Sequence, residues 1–431
     1  MIFFINFSFS CPKRVQKRVF GVLCLTFNVY YIKLKYMQDE RYIEKLNSKY
    51  SFIRINAYKR LLADTEPAIA QPENANCDYH VRTVYSCYER TPSLAVYQAL
   101  RSGASMIGVV DHASFFSAKE LRKTAERSGV AYFSGAEVTL SSDNFRGKTV
   151  SGIMLGVPKK NISSANAALA PYRKLRNDYA CALVKKLNAY FRPYEIEISF
   201  YHKAFFAGGK SVPGKDRAFL LLAGEIMKKF VTGEEILEFL IRKIGVELSD
   251  DDRAKLEDVS NPLYLSDLAA ALSGSRALKL PVEKCKPCDE FIELCKREGG
   301  IAAAVYVDGN PSEFIKNAKS TGFDCVVFPQ LEDTLLQSLY DECVAGGMLP
   351  LCREVIDFPR KKFSAVFGDA ETARKFNEAA FAVVGHEISV SFNVEDGLFS
   401  ARSADAAPDL SERIKLFSRI GAKGRDINER K

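Results

Sequence analysis

The sequence is poor in histidine and has no long apolar run. Only four of its 431 residues are histidines, and two of these fall among the polar clusters discussed below. The apolar run at residues 19–32 is shorter than the roughly 20 residues that a membrane-spanning helix needs. No A-x-A-like cleavage site closes it, as a secretory signal peptide would require. We therefore predict no integral membrane segment and no secretory signal.

The cysteines lack the spacing of a disulfide framework. There are eleven of them, an odd number, spread along the chain. This usage is typical of free thiols in a reducing compartment, which predicts a cytoplasmic protein. Cys285, Cys288 and Cys295 lie close together in sequence, but no second pair of metal ligands accompanies them. We interpret them as unrelated thiols rather than as a zinc site.

The positive charge is concentrated at the N-terminus. The formal net charge is +8, and residues 1–36 hold six basic residues and no acidic one. The rest of the chain is nearly balanced, whereas proteins that bind nucleic acid usually carry a basic stripe on the folded domain. The composition therefore carries no strong nucleic-acid signal.

Residues 1–36 differ in character from the chain that follows them. We interpret them as an N-terminal extension that precedes a start at Met37. The alternative is a segment that lies on a membrane surface. Residues 37–76 are predicted to form a charged helix followed by a linker, because Pro67 and Pro72 interrupt the second half of this stretch.

From residue 77 onward, short apolar runs alternate with amphipathic segments that end at glycine. Residues 106–110 form one such run, and the helix that begins at Thr91-Pro92 stops at Gly103. The alternation predicts an α/β fold with buried parallel strands.

Residues 165–284 interrupt this alternation. Their apolar residues recur at three- and four-residue spacing, which is typical of helices. We predict that residues 77–164 and 285–420 form the two halves of one barrel and that residues 165–284 are a helical insertion. Residues 421–431 are predicted to be a charged tail.

Polar residues interrupt three of the apolar runs. His80 lies in the first cluster, Asp111 and His112 form the second, and Glu137 follows in the third. Each cluster stands where an apolar run is predicted to break into a loop. In an α/β barrel, residues at the carboxyl ends of the strands point into one shared mouth. These residues are therefore the candidate site.

The same residues resemble the motifs of the polymerase and histidinol phosphatase (PHP) superfamily. The order of segments is similar over residues 78–417, and the motifs are His80-Val81-Arg82-Thr83, Val110-Asp111-His112-Ala113 and Gly135-Ala136-Glu137. The resemblance implies a distorted (β/α)7 barrel of the TIM type, here with a helical insertion. It also implies metal-dependent hydrolysis of a phosphoester on a small molecule or a nucleotide.

The resemblance further implies roles for individual residues. His80 and His112 would bind a divalent metal and Glu137 would be a bridging carboxylate; zinc, manganese and iron suit such ligands. Such ions polarise the phosphoryl oxygen and activate water. As the catalytic groups, Asp111 would orient a ligand imidazole and Arg82 would grip a substrate phosphate. Further candidates, the first two near the family's last acidic motif, are Glu354, Asp357 and His386.

Several positions depart from the family's motifs. The family has metal-binding or acidic groups at the positions of Arg82, Ala113, Leu155 and Val355. Arginine is a permanent cation without an acceptor atom, so Arg82 cannot bind a metal and opposes one beside His80. The site would then hold fewer ions than the family norm, or none. The alternative function is a catalytically degenerate barrel that acts as a binding or regulatory protein, in which Glu137 pairs with Arg82. No pattern in the sequence identifies the substrate or the oligomeric state.

Overall fold

The computed structural model describes residues 40–63, 77–200, 210–353, 355–356 and 367–423. The predictions for residues 1–36, for Glu354 and for Asp357 lie outside these ranges. The described residues form a mixed α/β structure around one curled sheet. Within them, no helix has the length and the apolar character needed to cross a membrane.

The apolar runs form the strands of the sheet, where they are buried because helices cover them. Every residue of the run that begins at Met106 and every residue of the run that begins at Ile301 is buried. The strands are β1 (Cys77–Val81), β2 (Met106–His112), β3 (Ala131–Ser141), β4 (Thr149–Leu155), β5 (Lys286–Pro287), β6 (Ile301–Val305), β7 (Cys325–Pro329), β8 (Leu349–Arg353) and β9 (Val355–Ile356).

The sheet has the order β8-β7-β6-β4-β3-β2-β1-β9, and β5 pairs with β3 beside this path. Strand β4 is antiparallel to both of its neighbours, and the other pairs are parallel. Strands β8 and β9 stand at the two ends of the order, yet only residue 354 separates them in the chain. Both ends of the path therefore belong to one short segment of the chain.

The helices alternate with the strands at both ends of the chain and follow one another in its middle. They are α1 (Ser51–Leu61), α2 (Pro92–Arg101), α3 (Ala118–Ser128), α4 (Ile162–Ala168), α5 (Ala170–Phe191), α6 (Lys215–Lys229), α7 (Gly233–Glu238), α8 (Asp250–Glu257), α9 (Tyr264–Gly274), α10 (Cys288–Arg297), α11 (Pro311–Thr321), α12 (Asp333–Ala345), α13 (Ala370–Phe392), α14 (Ala401–Ala406) and α15 (Leu410–Lys423). A short helical segment at residues 40–45 precedes α1.

Helices α5 to α9 surround an apolar core of their own, distinct from the core of the sheet. Leu183, Phe219 and Leu240 are fully buried members of it. Ser249 is the N-cap of α8: its side chain accepts a hydrogen bond from the backbone N–H of Asp252, and the carboxylate of Asp252 accepts one from the backbone N–H of Ser249. This reciprocal pair is a capping box, which stabilises the start of the helix.

Helix α1 is attached to helix α3 by a buried ion pair. Arg54 Nε donates to Glu120 Oε1 at 2.7 Å, and Arg54 Nη2 donates to the second oxygen of the same carboxylate. Arg54 also donates to the carbonyl of Ser48, and Ser93 donates to Glu120 from its N–H and its hydroxyl. Both charged side chains are buried, so the pair connects the N-terminal helix to the sheet domain.

Helices α13 and α15 cross at two glycines, one in each helix. A Cβ atom on Gly385 would lie 1.9 Å from the carbonyl oxygen of Phe417, and one on Gly421 would lie 2.2 Å from that of Phe381. Distances this short cannot be accommodated without moving one backbone away from the other. The two helices can therefore approach this closely only because both positions lack a side chain.

We expect Gly385→Ala to lower the free energy of unfolding by about 1 to 3 kcal/mol, because the added methyl group overpacks the crossing. Gly274→Ala is the control, since a Cβ there has no neighbour within 4 Å and alanine favours the helix. Urea unfolding monitored by circular dichroism measures both variants. Equal stability of the two would contradict the close approach at the crossing.

Candidate functional site

The candidate residues lie on three neighbouring strands. His80 is in β1, Asp111 and His112 are the last two residues of β2, and Glu137 is in β3. His112 and Glu137 are direct partners in the pairing of β2 with β3, which places their side chains on the same face of the sheet. The expectation of a loop was wrong for Glu137, because β3 continues to Ser141 along its antiparallel partner β4. His80 is the next-to-last residue of β1.

The carboxylate of Glu137 is bound on both sides. Its Oε2 is 2.6 Å from Nη2 of Arg82 and 3.0 Å from Nε2 of His80, and its Oε1 accepts a hydrogen bond from the hydroxyl of Ser151. Arg82 and Glu137 are 5% and 7% exposed. A guanidinium and an imidazole therefore share one oxygen of a buried carboxylate.

Asp111 organises the loop that follows β1. Its carboxylate accepts hydrogen bonds from the N–H and the hydroxyl of Thr83, at 2.9 and 2.8 Å, and from the hydroxyl of Ser86 at 2.7 Å. The same Ser86 oxygen accepts the backbone N–H of His112. Burial raises the pKa of Asp111, and these hydrogen bonds oppose that shift. Asp111 thus orients the backbone of His112 through Ser86.

His112 is fully buried and has a defined tautomer. Its Nδ1 lies 2.9 Å from the carbonyl oxygen of Val212, and because a carbonyl only accepts, Nδ1 carries a proton. Burial lowers the pKa of His112 well below its usual range, and the nearby Arg176 and Arg82 act in the same direction. The ring is therefore neutral, and Nε2 has a lone pair that no hydrogen-bond donor within the described residues meets.

The partner of His112 belongs to the segment that leads into α6. The hydroxyl of Ser211 donates to the carbonyl of Val84 at 2.6 Å, and the N–H of Val212 donates to the carbonyl of Tyr85 at 2.7 Å. The segment that leads into α6 is thereby hydrogen bonded to the loop between β1 and α2. Local sequence did not predict these contacts, because the Pro213-Gly214 pair indicates a turn but not its hydrogen-bond partners.

Ala113 has an unusual backbone conformation beside the site. Its φ of 45° is in the left-handed region, which is uncommon for a residue with a Cβ and is found at functional sites. Its N–H donates to the carbonyl of Glu137 at 2.8 Å, and its carbonyl accepts from Nη1 of Arg173 at 2.8 Å. The backbone of Ala113 is thus held by hydrogen bonds on both sides.

The side chain of His386 is buried and has a structural role beside α13. Its Nδ1 accepts the N–H of Leu398 at 3.0 Å, so Nε2 carries the proton and donates to the carbonyl of Gly299 at 3.0 Å. Both ring nitrogens are therefore engaged by backbone groups. Burial lowers the pKa of His386 to about 4.

This shift makes the fold sensitive to acid. The pKa of His386 falls from 6.5 to about 4 on folding, so below pH 6.5 the unfolded chain binds a proton that the folded chain does not. Stability is lost as the pH falls through this window, by up to about 3 kcal/mol.

Glutamine supplies one donor and one acceptor but does not titrate, so we expect His386→Gln to remove this part of the acid sensitivity. Urea unfolding of both proteins at pH 7 and pH 4.5 measures the effect. The same stability difference at the two pH values would contradict a neutral buried imidazole.

Within the described part of the chain, the side chains do not form a metal cluster. Among the ranges described above, no three histidine, cysteine or acidic side chains are close enough to hold a metal ion together, and this includes Cys285, Cys288 and Cys295. Glu137 instead contacts the guanidinium of Arg82 and the imidazole of His80. The nine cysteines in the described ranges are free thiols.

The fold and the site together define a mixed α/β protein with a polar cluster across three neighbouring strands. No protein-family model and no curated protein sequence matches the chain. Among solved structures, it is similar to a "putative metal-dependent phosphoesterase" from Bifidobacterium adolescentis, with 15% identity, a TM-score of 0.45, and coverage of 72% of this chain and 96% of that one. It is also similar to an amidohydrolase from Chromobacterium violaceum with bound sulfate and no metal, with 15% identity, a TM-score of 0.45, and coverage of 66% and 88%. Similarity at this level assigns no function to the chain.

Proposed function

We propose that the chain is a PHP-like barrel that binds a small phosphoester, or a related anion, without a metal cluster. One observation carries the proposal: Oε2 of Glu137 contacts both Nη2 of Arg82 and Nε2 of His80. In this arrangement the fixed cation of Arg82 stands where a metal-binding site would need a ligand. The role is that of a binding or regulatory protein rather than a metal-dependent hydrolase.

The barrel itself is part of the proposal. Strand β9 pairs with β1 through His80 and Val355, while β8 pairs with β7. Because residue 354 alone separates β8 from β9, this segment is in the right place to join the two ends of the sheet. The parallel order of β1, β2 and β3, with helices between them, agrees with a distorted (β/α)7 barrel.

The charges support an anionic ligand. Arg82 neutralises the carboxylate of Glu137, since a buried ion needs a counterion close by. Arg176 of α5 lies near His112, and within the described residues its Nε has no hydrogen-bond partner. Arg176 therefore supplies the positive charge that an anion entering this site would meet.

Metal-dependent phosphoester hydrolysis is the second candidate, and one observation favours it. Histidines that bind metals usually donate their other ring N–H to a carbonyl or carboxylate, and Nδ1 of His112 donates to the carbonyl of Val212. Against this candidate stand the two nearby cations, Arg82 and Arg176, which lower the affinity for a second positive charge.

Elemental analysis distinguishes the two candidates. The full chain is purified, exposed to zinc and manganese, and passed through a desalting column before its metal content and its hydrolysis of p-nitrophenyl phosphate are measured. We expect no stoichiometric metal and no hydrolysis. A His80→Ala/His112→Ala variant tests the site, and a Cys285→Ser/Cys288→Ser variant controls for zinc on thiols. Stoichiometric metal and activity that disappear only in the histidine variant would overturn the proposal in favour of the hydrolase.

A further inference from the structure

Helices α1, α2 and α3 pack around one apolar core, which they share with strands β1 and β2. Helix α1 lies between the other two, because Arg54 contacts Glu120 of α3 and the same carboxylate accepts from Ser93 of α2. One turn further along α1, Tyr58 lies near Ser128 of α3. The opposite side of α1 therefore faces outward, beside the exposed sides of α2 and α3.

The exposed surface of these three helices is strongly basic. Their one exposed acidic residue is Glu126, whereas six of their basic residues are exposed, namely Lys59, Arg60, Arg101, Lys119, Lys123 and Arg127. Helices α7 and α8 carry the opposite excess, with seven acidic residues and two basic ones. The nearly balanced charge of the chain after residue 36 thus combines two surfaces of opposite sign, which the composition alone does not reveal.

Three of the cations form a stripe along α3. Lys119, Lys123 and Arg127 are four residues apart, which places them on one side of the helix. Among the described residues none of the three forms a salt bridge, whereas exposed lysines of α5 and α8 each pair with an aspartate four residues away. Lys119 also stands in the first turn of α3, where the helix dipole disfavours a cation. Helix stability therefore does not account for this stripe.

Two exposed aromatic rings lie at the start of α1. Tyr50 is 49% exposed and Phe52 is 62% exposed, and their ring centroids are 5.7 Å apart. The ammonium group of Lys49 lies 4.9 Å from the centroid of Tyr50. Exposed rings beside cations are typical of proteins that bind the surface of a bilayer, because the rings enter the headgroup region while the ammonium groups stay in water.

We infer that the outward surface of α1, α2 and α3 docks on a membrane that contains anionic lipids. The negative headgroups attract the six exposed cations, and Tyr50 and Phe52 enter the interface. This basic face is separate from the polar cluster of β1, β2 and β3, so the inference does not depend on the function proposed for that cluster.

The sequence that precedes the described chain favours a bilayer over a nucleic acid. Residues 1–36 hold six basic residues and no acidic one, and they include the apolar run at residues 19–32. This run is too short to span a membrane, but an apolar and basic composition is typical of segments that lie in the interface. In addition, Lys49 covers one face of the ring of Tyr50, which makes this ring a poor platform on which to stack a base.

Flotation of the full chain with lipid vesicles tests the inference. We expect far stronger binding to vesicles that contain phosphatidylserine than to phosphatidylcholine alone, and release at high salt, which screens the attraction. Lys119→Gln/Lys123→Gln/Arg127→Gln should weaken binding about a hundredfold, because each cation near an anionic surface contributes about fivefold. Phe52→Ala should weaken it about tenfold, as expected when one apolar ring no longer leaves water.

Matched variants control for the loss of charge and of an exposed ring. Lys296→Gln/Lys316→Gln/Lys319→Gln removes three exposed cations from α10 and α11, and Phe392→Ala removes a ring that is 78% exposed at the end of α13. Both should bind like the natural chain, and circular dichroism checks that every variant is folded.

Three results would overturn the inference. The first is that the natural chain does not bind anionic vesicles. The second is that the α3 variant binds them unchanged, or loses no more affinity than its control, which would place the attraction elsewhere in the chain. The third is that a single-stranded oligonucleotide binds more tightly than the vesicles and loses its affinity in the α3 variant, which would assign the basic face to nucleic acid.

Discussion

Replacing Arg54 with methionine is expected to lower the free energy of unfolding by about 3 to 5 kcal/mol, as is typical when one partner of a buried ion pair is removed. Arg54 donates to both oxygens of Glu120 and to the carbonyl of Ser48. Methionine keeps much of the buried volume but none of the donors. Among the residues that the structure describes, the carboxylate of Glu120 then remains buried with only the donors of Ser93.

Two further variants test this explanation. Arg54→Met/Glu120→Leu should regain most of the lost stability, because replacing both charges by apolar groups removes the uncompensated carboxylate. Arg242→Met breaks an ion pair in which both side chains are largely exposed, and it should change little because solvent screens such pairs. A loss below about 1 kcal/mol for Arg54→Met in urea unfolding, in the range of a surface pair, would contradict a buried anchor for α1.

Short apolar runs allowed much of the sheet to be predicted. The runs that become β2 and β6 are buried along their whole length, so they read as continuous apolar stretches. Pattern was less informative for β3, which was expected to end before Glu137. That strand continues because β4, the next strand in the chain, pairs with it as far as Ser141, and the residue types of β3 alone do not indicate this pairing.

The surroundings of His112 could not be predicted from local pattern either. The backbone carbonyl of Val212 fixes the tautomer of His112. Because every residue has a backbone carbonyl, the residue type at position 212 does not reveal this contact. Gly214 and Arg176 are distant from His112 in the chain, and their approach to it depends on how helices α5 and α6 pack against the sheet. The contact between Arg82 and Glu137, in contrast, was anticipated as the alternative to a metal, because arginine needs a counterion when it is buried.

Replacing Arg82 with methionine is expected to have two effects, on stability and on metal affinity. The free energy of unfolding should fall by about 3 to 5 kcal/mol, because the buried carboxylate of Glu137 loses its guanidinium counterion. Arg82→Met/Glu137→Gln should recover much of this loss, since the amide carries no charge. Urea unfolding of Arg82→Met, Glu137→Gln and the double variant gives the coupling energy between Arg82 and Glu137.

The second effect decides whether Arg82 stands in the place of a metal. Without its cation, His80 and Glu137 offer an imidazole and a carboxylate to a divalent ion, and the electrostatic opposition is removed. We expect Arg82→Met to bind zinc in isothermal titration more tightly than the natural chain, and Arg82→Met/Glu137→Gln to lose that gain. Arg82→His should bind zinc more tightly still but show no full hydrolytic activity, because Leu155 offers no donor atom where the resemblance to the PHP superfamily implies a further ligand. Zinc affinity that is unchanged in all three variants would mean that Arg82 does not exclude a metal from this site.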